Sequence, residues 1–249
     1  MYLFFLLIQL VFAHPPDLQQ EFYQRQRGKT GTVLVVITPG WEKTHYEKLL
    51  ETLWQNGFSI WSVTFDLPNQ NIEQMQIILQ QALATLPEKT SIWAHGLAGT
   101  VVAQAVEQNK ISPAAMVFTG TPLIARCSQA LRSHLGMGGD IQGAEKLLYG
   151  SFQPKVVATL WTKNWQNWCD QQLQINLTSM HIPMWFANSG MDHVAPPENT
   201  RSMIGESPFV RISPLSFDLS EPNHYGLLQH HRTIWTGTRW LRQTMRRFQ

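Results

Sequence analysis

Residues 91–102 place the tightest constraint on how this chain can fold. They read SIWAHGLAGTVV, an apolar run that ends in small residues and then becomes apolar at helical spacing. A buried strand that turns sharply into a helix has this pattern, because small residues let the helix begin close to the end of the strand. We therefore predict a strand, a tight turn centred on Gly96 and a helix that runs to about Gln108.

Strand and helix patterns alternate along most of the chain. Apolar residues at helical spacing predict helices over 46–54 and 72–86. Runs rich in β-branched and aromatic residues predict further buried strands over residues 32–37, 58–65, 114–119, 182–188 and 209–212. Strands that are covered on both faces and joined by helices form a mostly parallel sheet with right-handed crossovers. The predicted fold class is therefore α/β.

The turn at Gly96 resembles the nucleophile elbow of the α/β-hydrolase superfamily, written G-x-S-x-G. Its five positions are occupied by Ala94, His95, Gly96, Leu97 and Ala98, so alanine replaces both outer glycines. The position of the nucleophilic serine is taken by Gly96, which has no side chain. The resemblance implies the α/β-hydrolase fold, a mostly parallel sheet flanked by helices, with an inserted cap region over about residues 123–178.

Two later segments resemble the parts of the superfamily that carry the other triad residues. A glycine, Asp192 and a Val-x-Pro sequence follow a predicted strand, as in the loop that holds the triad acid. Without this context, an aspartate in a loop is most often a turn former. The triad histidine matches His224, which follows the last predicted strand, whereas His230 and His231 fall within the predicted closing helix. The order Gly96, Asp192, His224 matches Ser…Asp…His.

The resemblance also implies a chemistry for these positions. In such enzymes serine attacks an acyl carbonyl, histidine takes its proton and aspartate holds the histidine. Backbone N–H groups stabilise the oxyanion, and the resemblance assigns one of them to Leu97 and the other to the loop near Gly40 or Trp41. Glycine at the nucleophile position leaves these donors in place but removes the attacking atom. Loss of a triad serine can lower turnover about a millionfold.

Three hypotheses follow from Gly96. The first, which we favour, is a non-catalytic pseudo-hydrolase that binds a small apolar or acyl ligand or a protein partner. The second is a hydrolase or lyase in which Asp192 and His224 activate a water molecule. The third is an ordinary ester hydrolase whose serine has been replaced. A relocated nucleophile at Thr38, Thr119 or Cys127 would require a rearranged pocket, and Thr100 lies one turn into the helix.

The predicted cap region contains three tryptophans at helical spacing. Trp161, Trp165 and Trp168 are separated by four and three residues, which places them on one face of a helix. They either pack onto the core or line an apolar pocket, and the second alternative makes Trp161 and Trp165 candidate substrate-binding residues. Cys127 and Cys169 also lie in this region and can form a disulfide in an exported protein or remain buried thiols.

Residues 1–13 form a separate, almost wholly apolar segment. The segment is too short to span a bilayer, which takes about 20 residues, and Val11 and Ala13 fit the small-residue rule for signal-peptide cleavage. No Lys or Arg precedes the apolar run, so a retained anchor and a leading strand stay open as alternatives. We expect a cleaved signal peptide, export to the periplasm or the medium, and a single α/β-hydrolase-like domain over residues 14–249.

The charge of the chain limits its partners. The formal net charge of +2 over 249 residues is too small to predict nucleic-acid binding. The basic, amphipathic segment 239–248 can rest on an anionic membrane surface, although a helix packed on the sheet with a solvated basic face is the commoner structure. The expected partner is therefore a small apolar or acyl ligand, and we expect neither a metal nor an organic cofactor.

Overall fold

The computed structural model describes residues 20–24, 30–38, 41, 43–65, 71–123, 175–190, 192, 195–213 and 225–247. The strands are β1 (Gln20–Gln24), β2 (Gly31–Val36), β3 (Phe58–Val63), β4 (Ser91–His95), β5 (Met116–Thr119), β6 (Met184–Ala187) and β7 (Val210–Ile212). The α-helices are α1 (Glu47–Gln55), α2 (Ile72–Ala84), α3 (Gly96–Glu107), α4 (Pro197–Ile204) and α5 (His231–Met245), and two 3-10 helices cover Lys43–Tyr46 and Tyr225–Leu228.

The seven strands form one sheet in the spatial order β1-β3-β2-β4-β5-β6-β7. The strands from β2 to β7 pair in parallel, and β1 pairs antiparallel with β3 at the edge. Helices connect β2 to β3, β3 to β4, β4 to β5 and β6 to β7, which is the arrangement that the alternating sequence pattern predicts. The prediction of a mostly parallel α/β sheet is therefore confirmed.

The central strands are buried along their whole length. Every residue of β4, β5 and β6 is buried, because helices cover both faces of the sheet and leave no solvent side. The aromatic rings of Phe118 and Phe186, on the neighbouring strands β5 and β6, stack with their centroids 4.8 Å apart. Full burial explains why these strands have an apolar centre instead of an alternating pattern, with polar residues only at their ends.

Local sequence signals account for the way the helices begin and pack. The α2 helix starts with a capping box, in which Asn71 Oδ1 accepts the N–H of Gln74 at 2.9 Å and Gln74 Oε1 accepts the N–H of Asn71 at 2.7 Å. The α5 helix lies directly on the sheet at Gly237, where an added Cβ would be 2.7 Å from Trp93 and 3.1 Å from Trp185. Glycine is therefore needed for this close approach.

Two elements differ from the sequence-based expectation. Residues 17–29 are rich in glutamine and polar, a composition that predicts a surface lead-in without regular structure, but Gln20–Gln24 form the edge strand β1. A strand at the edge of a sheet has a solvated side and does not require the continuous apolar run by which central strands are recognised. The short helix Pro197–Ile204 was not predicted either, although Pro197 at its start is a known helix signal.

Several predicted segments lie outside the described residues. These are the signal peptide over residues 1–13, most of the cap region, Trp161, Trp165, Trp168, Cys127 and Cys169. The residues that flank segment 124–174 are described, and the N–H of Ile175 donates to the carbonyl of Leu123 at 3.0 Å. No helix within the described ranges is long and apolar enough to cross a membrane.

Candidate functional site

The carboxyl ends of β2 and β4 mark the point where the order of the strands reverses. The chain passes from β2 to β3 on one side and later returns to β4 on the other side of β2. In open α/β sheets, ligands bind in the crevice outside such a point. The loop over residues 38–41, which follows β2, and the turn at Gly96, which follows β4, lie at this edge.

The turn after β4 has the geometry predicted for it. The strand ends at His95 and α3 begins at Gly96, with no residue between them. Gly96 is buried and has a φ of 55°. This left-handed conformation strains residues with a side chain by about 1–3 kcal/mol, and a nucleophile elbow is a strained strand-to-helix turn of this kind. The central residue of the turn therefore has an elbow-like backbone but no side-chain atom.

The two backbone N–H groups predicted to bind an oxyanion differ in their hydrogen bonding. Leu97 lies in the first turn of α3, where backbone N–H groups lack an intrahelical acceptor and the helix dipole attracts negative charge. The N–H of Trp41 instead donates to the carbonyl of Thr38 at 2.9 Å, and the intervening Pro-Gly pair favours such a turn. Trp41 can bind an oxyanion only if this bond is broken or shared. The alternative, Gly40, lies outside the described residues.

Asp192 is held at the same edge of the sheet, in the loop after β6. Its side chain is 2% exposed, and its Oδ1 accepts the N–H of Ala195 at 2.9 Å. The N–H of Asp192 donates to the carbonyl of Ser189 at 3.0 Å, and Asn188 Nδ2 donates to the carbonyl of Ala195 at 2.8 Å. The bond from the Ala195 N–H holds the carboxylate, and the other two bonds hold the backbone of the loop on either side of it. Since β6 is two strands from β4, the Asp192 loop starts about 10 Å from the Gly96 turn.

Comparisons with known proteins agree with this geometry. No protein-family model and no curated protein matches the sequence. Among solved structures, the chain is similar to an esterase from Exiguobacterium antarcticum (12% identity, 90% of this chain and 94% of that chain covered, TM-score 0.66). An esterase from Thermogutta terrifontis gives 15% identity, coverage of 94% and 97%, and a TM-score of 0.66. A monoacylglycerol lipase from Paleococcus ferrophilus gives 17%, coverage of 92% and 99%, and 0.60.

The chain has the α/β-hydrolase fold. The three neighbours named above are two esterases and a lipase, and at these sequence identities the similarity concerns the fold alone. Among the site residues predicted from sequence, Gly96, Leu97, Trp41 and Asp192 are described. His224, Trp161 and Trp165 lie outside the described residues, so their roles stay predictions.

The segment that follows His224 in this α/β-hydrolase fold forms hydrogen bonds with residues 43–48, which come after β2. Lys48 Nζ donates to the carbonyl of Gln229 at 2.6 Å, and Gln229 Nε2 donates to the carbonyl of His45 at 3.0 Å. Leu227 and Leu228 are buried just before these contacts. The chain immediately after the predicted histidine therefore has a fixed place beside the segment 43–48.

A chain of buried hydrogen bonds joins the loop after β2 to the elbow. Thr38 Oγ1 lies 2.6 Å from the carbonyl oxygen of His95, so its single hydrogen is donated there. Tyr46 Oη lies 2.8 Å from Thr38 Oγ1 and must donate to it, while Tyr46 Oη accepts the N–H of Thr38 at 2.9 Å. The three groups thus form one directed chain, Tyr46 to Thr38 to His95. The sequence signal that could have revealed it is a tyrosine on the buried face of a helix, since a buried phenol needs a partner.

The side chain of His95 packs beneath the same region of the α/β-hydrolase fold. It is fully buried, its Nδ1 lies 3.1 Å from Thr119 Oγ1, and its ring centroid is 5.0 Å from that of Trp41. The hydroxyl of Thr100, in α3, donates to the carbonyl of Pro122 at 2.8 Å. The hydroxyls near Gly96 that were candidates for a relocated nucleophile are therefore engaged in structural contacts.

We predict that Thr38→Val lowers the free energy of unfolding by about 1–3 kcal/mol, because it removes the shared hydroxyl and leaves buried polar groups of Tyr46 and His95 short of a partner. Urea unfolding followed by tryptophan fluorescence measures the change. Thr38→Ser keeps the hydroxyl and should retain most of the stability. An equal loss in both variants would instead assign the effect to packing of the threonine methyl group.

Within the part of the chain that the structure describes, no three His, Cys, Asp or Glu side chains are grouped so that they could hold a metal ion.

Proposed function

We propose that this protein is a non-catalytic pseudo-hydrolase that binds a small apolar or acyl ligand. The observation that carries the proposal is Gly96. It occupies the centre of the strand-to-helix turn of an α/β-hydrolase fold, where a serine hydrolase presents its attacking oxygen. With glycine there, no atom of position 96 can form an acyl-enzyme, and the ordinary two-step hydrolysis is unavailable.

The other features of the site support binding of a carbonyl group. The amide of Leu97 lies at the N-terminal end of a 12-residue helix, and a hydrogen bond from it can orient an ester or acid carbonyl in its ground state. The ring centroid of Trp41 lies 5.0 Å from that of His95, the residue that precedes Gly96, so the indole is an apolar group beside the turn. A site with a carbonyl donor, apolar walls and no nucleophile retains an acyl ligand without cleaving it.

One observation favours a second function, in which Asp192 and His224 activate a water molecule. The carboxylate of Asp192 is 2% exposed, and a buried carboxylate is costly unless it has compensating partners. Orientation and stabilisation of a catalytic imidazole is a role that would justify this cost. Glycine at position 96 leaves space in which such a water could lie, and His224 would act as its general base.

Equilibrium binding and turnover measured on the same esters test the proposal. With p-nitrophenyl esters of short and medium acyl chains, we expect saturable quenching of tryptophan fluorescence and nitrophenol release no faster than in buffer. Failure of every ester and of the matching free acids to bind would refute the proposal.

The same assay separates the water-activating alternative. If hydrolysis is measurable and both His224→Ala and Asp192→Asn abolish it, the protein is an enzyme and the proposed function is wrong. Glu198→Gln, which changes an exposed carboxylate in α4, is the matched control and should leave binding and turnover unchanged. Thermal denaturation of each variant verifies that it remains folded.

A further inference from the structure

Positive charge is concentrated in the last described helix. The chain contains 19 Lys and Arg and 17 Asp and Glu residues. Residues 231–247 contain five arginines and no acidic residue. The rest of the chain therefore has 14 basic against 17 acidic residues, a net charge of −3. A protein with a small net charge thus has a strongly cationic helix on an otherwise anionic chain.

The arginines of α5 are ordered along one side of the helix. Arg232, Arg239 and Arg246 are spaced by seven residues, which is close to two helical turns, and all three are exposed. They extend over about 21 Å of helix axis at 1.5 Å per residue. The opposite side carries Ile234 and Leu241, which are buried in the core. The helix therefore presents a straight cationic stripe to solvent.

An exposed aromatic side chain lies within this stripe. Trp235 is 46% exposed, and the guanidinium carbon of Arg239 lies 5.3 Å from the centroid of its ring. This cation–π contact holds the indole on the surface, between the arginines. Tryptophan is enriched at membrane–water interfaces, and arginine side chains are attracted to anionic headgroups.

Neighbouring charges leave the stripe cationic. Among the described helices, α1 packs beside α5, and its exposed charged residues are Glu47, Lys48 and Glu51. They give this helix a net charge of −1, against three positive charges in the stripe and two more at Arg242 and Arg247. The surface potential around the stripe is therefore expected to be positive.

We propose that the α5 stripe, formed by Arg232, Trp235, Arg239 and Arg246, docks this protein on an anionic lipid surface. Guanidinium groups bind phosphate through paired hydrogen bonds, and lipid headgroups present phosphates in a plane that a straight stripe can contact along its whole length. The indole of Trp235 adds apolar contact at headgroup depth. A duplex nucleic acid offers phosphates too, but it gives a surface indole no comparable apolar boundary.

The proposal is independent of the missing nucleophile and of any ligand in the Gly96 site. It concerns a different surface, which is formed by the outer side of α5. The native chain can therefore bind lipid whether or not it hydrolyses an ester.

Vesicle sedimentation with the full chain tests the proposal. We expect the protein to bind vesicles of phosphatidylcholine mixed with phosphatidylglycerol, and to bind vesicles of phosphatidylcholine alone far less. The triple variant Arg232→Gln, Arg239→Gln, Arg246→Gln should lower the partition coefficient on mixed vesicles on the order of 100-fold. Trp235→Ala should cause a smaller loss that persists at high salt, since screening weakens only the charged contacts.

A matched control removes the same charge elsewhere. Lys89, Arg201 and Arg211 are exposed and lie outside α5. The triple variant Lys89→Gln, Arg201→Gln, Arg211→Gln should bind like the native chain. An equal loss in both triple variants would assign binding to net charge and overturn the proposal. Equal binding of the native chain to both kinds of vesicle would overturn it as well, and so would tighter binding to duplex DNA than to mixed vesicles at the same salt. Circular dichroism confirms that the variants are folded.

Discussion

Gly96→Ser should turn this protein into an esterase. The serine would occupy a turn that already has the elbow conformation, with a φ of 55° at position 96, beside the Leu97 amide. If His224 and Asp192 are assembled as predicted, hydrolysis of short acyl esters should rise by a factor on the order of 10³–10⁶ over the native chain. A fluorophosphonate probe should label the variant and leave the native chain unlabelled.

The variant should also be less stable, because a side chain in the left-handed region costs about 1–3 kcal/mol. Gly96→Ala is the matched control: it should lose similar stability and gain no activity. Adding His224→Ala to Gly96→Ser should abolish the new activity. A folded Gly96→Ser variant that neither reacts with the probe nor hydrolyses any ester would show that the predicted triad is not assembled, and the pocket would then be unlike that of a hydrolase.

Gly99→Ala should strongly destabilise the fold. A Cβ at this position of α3 would lie 2.0 Å from Oγ1 and 2.6 Å from Cγ2 of Thr121. The loop that carries Thr121 has little freedom to retreat, because Thr100 Oγ1 donates to the carbonyl of Pro122 at 2.8 Å and the N–H of Gly120 donates to Ala187 at 2.8 Å. We expect the free energy of unfolding to fall by about 3 kcal/mol.

The sign of this effect is diagnostic, since a glycine-to-alanine change within a helix ordinarily stabilises it by about 1 kcal/mol. Chemical denaturation of Gly99→Ala, Thr121→Gly and the double variant forms a thermodynamic cycle. Thr121→Gly removes the clashing side chain, so the double variant should be more stable than the sum of the two single effects predicts. Additive effects, or a stabilised Gly99→Ala, would contradict the close contact.

Sequence patterns predicted the central sheet and the elbow well, and the reason is burial. The strands β2, β4, β5 and β6 have continuous apolar sequences because both of their faces are covered. The elbow is local as well, since its strand, turn and helix are contiguous in sequence. In contrast, β1 is a polar edge strand, and its pairing with β3 depends on residues far away in the chain.

Contacts between segments that are far apart in the sequence could not be predicted from it. Thr38 and His95 are 57 residues apart, and no periodicity relates them. The sequence also suggested that Ala94 and Ala98, at the outer positions of the elbow, provide the close packing around it. The structure shows a close approach at Gly99 as well, one position further along α3, where an added Cβ would lie 2.0 Å from Oγ1 of Thr121 in the loop after β5.

The hydrogen bond between Leu123 and Ile175 has a consequence for how this protein can diversify. Leu123 and Ile175 flank segment 124–174, so the two ends of that segment are adjacent. The register between β5 and β6 is then independent of the length of that segment, and longer insertions at closely spaced ends add little closure entropy. We therefore expect that segment 124–174 can change in length, or be exchanged between homologous chains as one unit, while the sheet keeps its alignment.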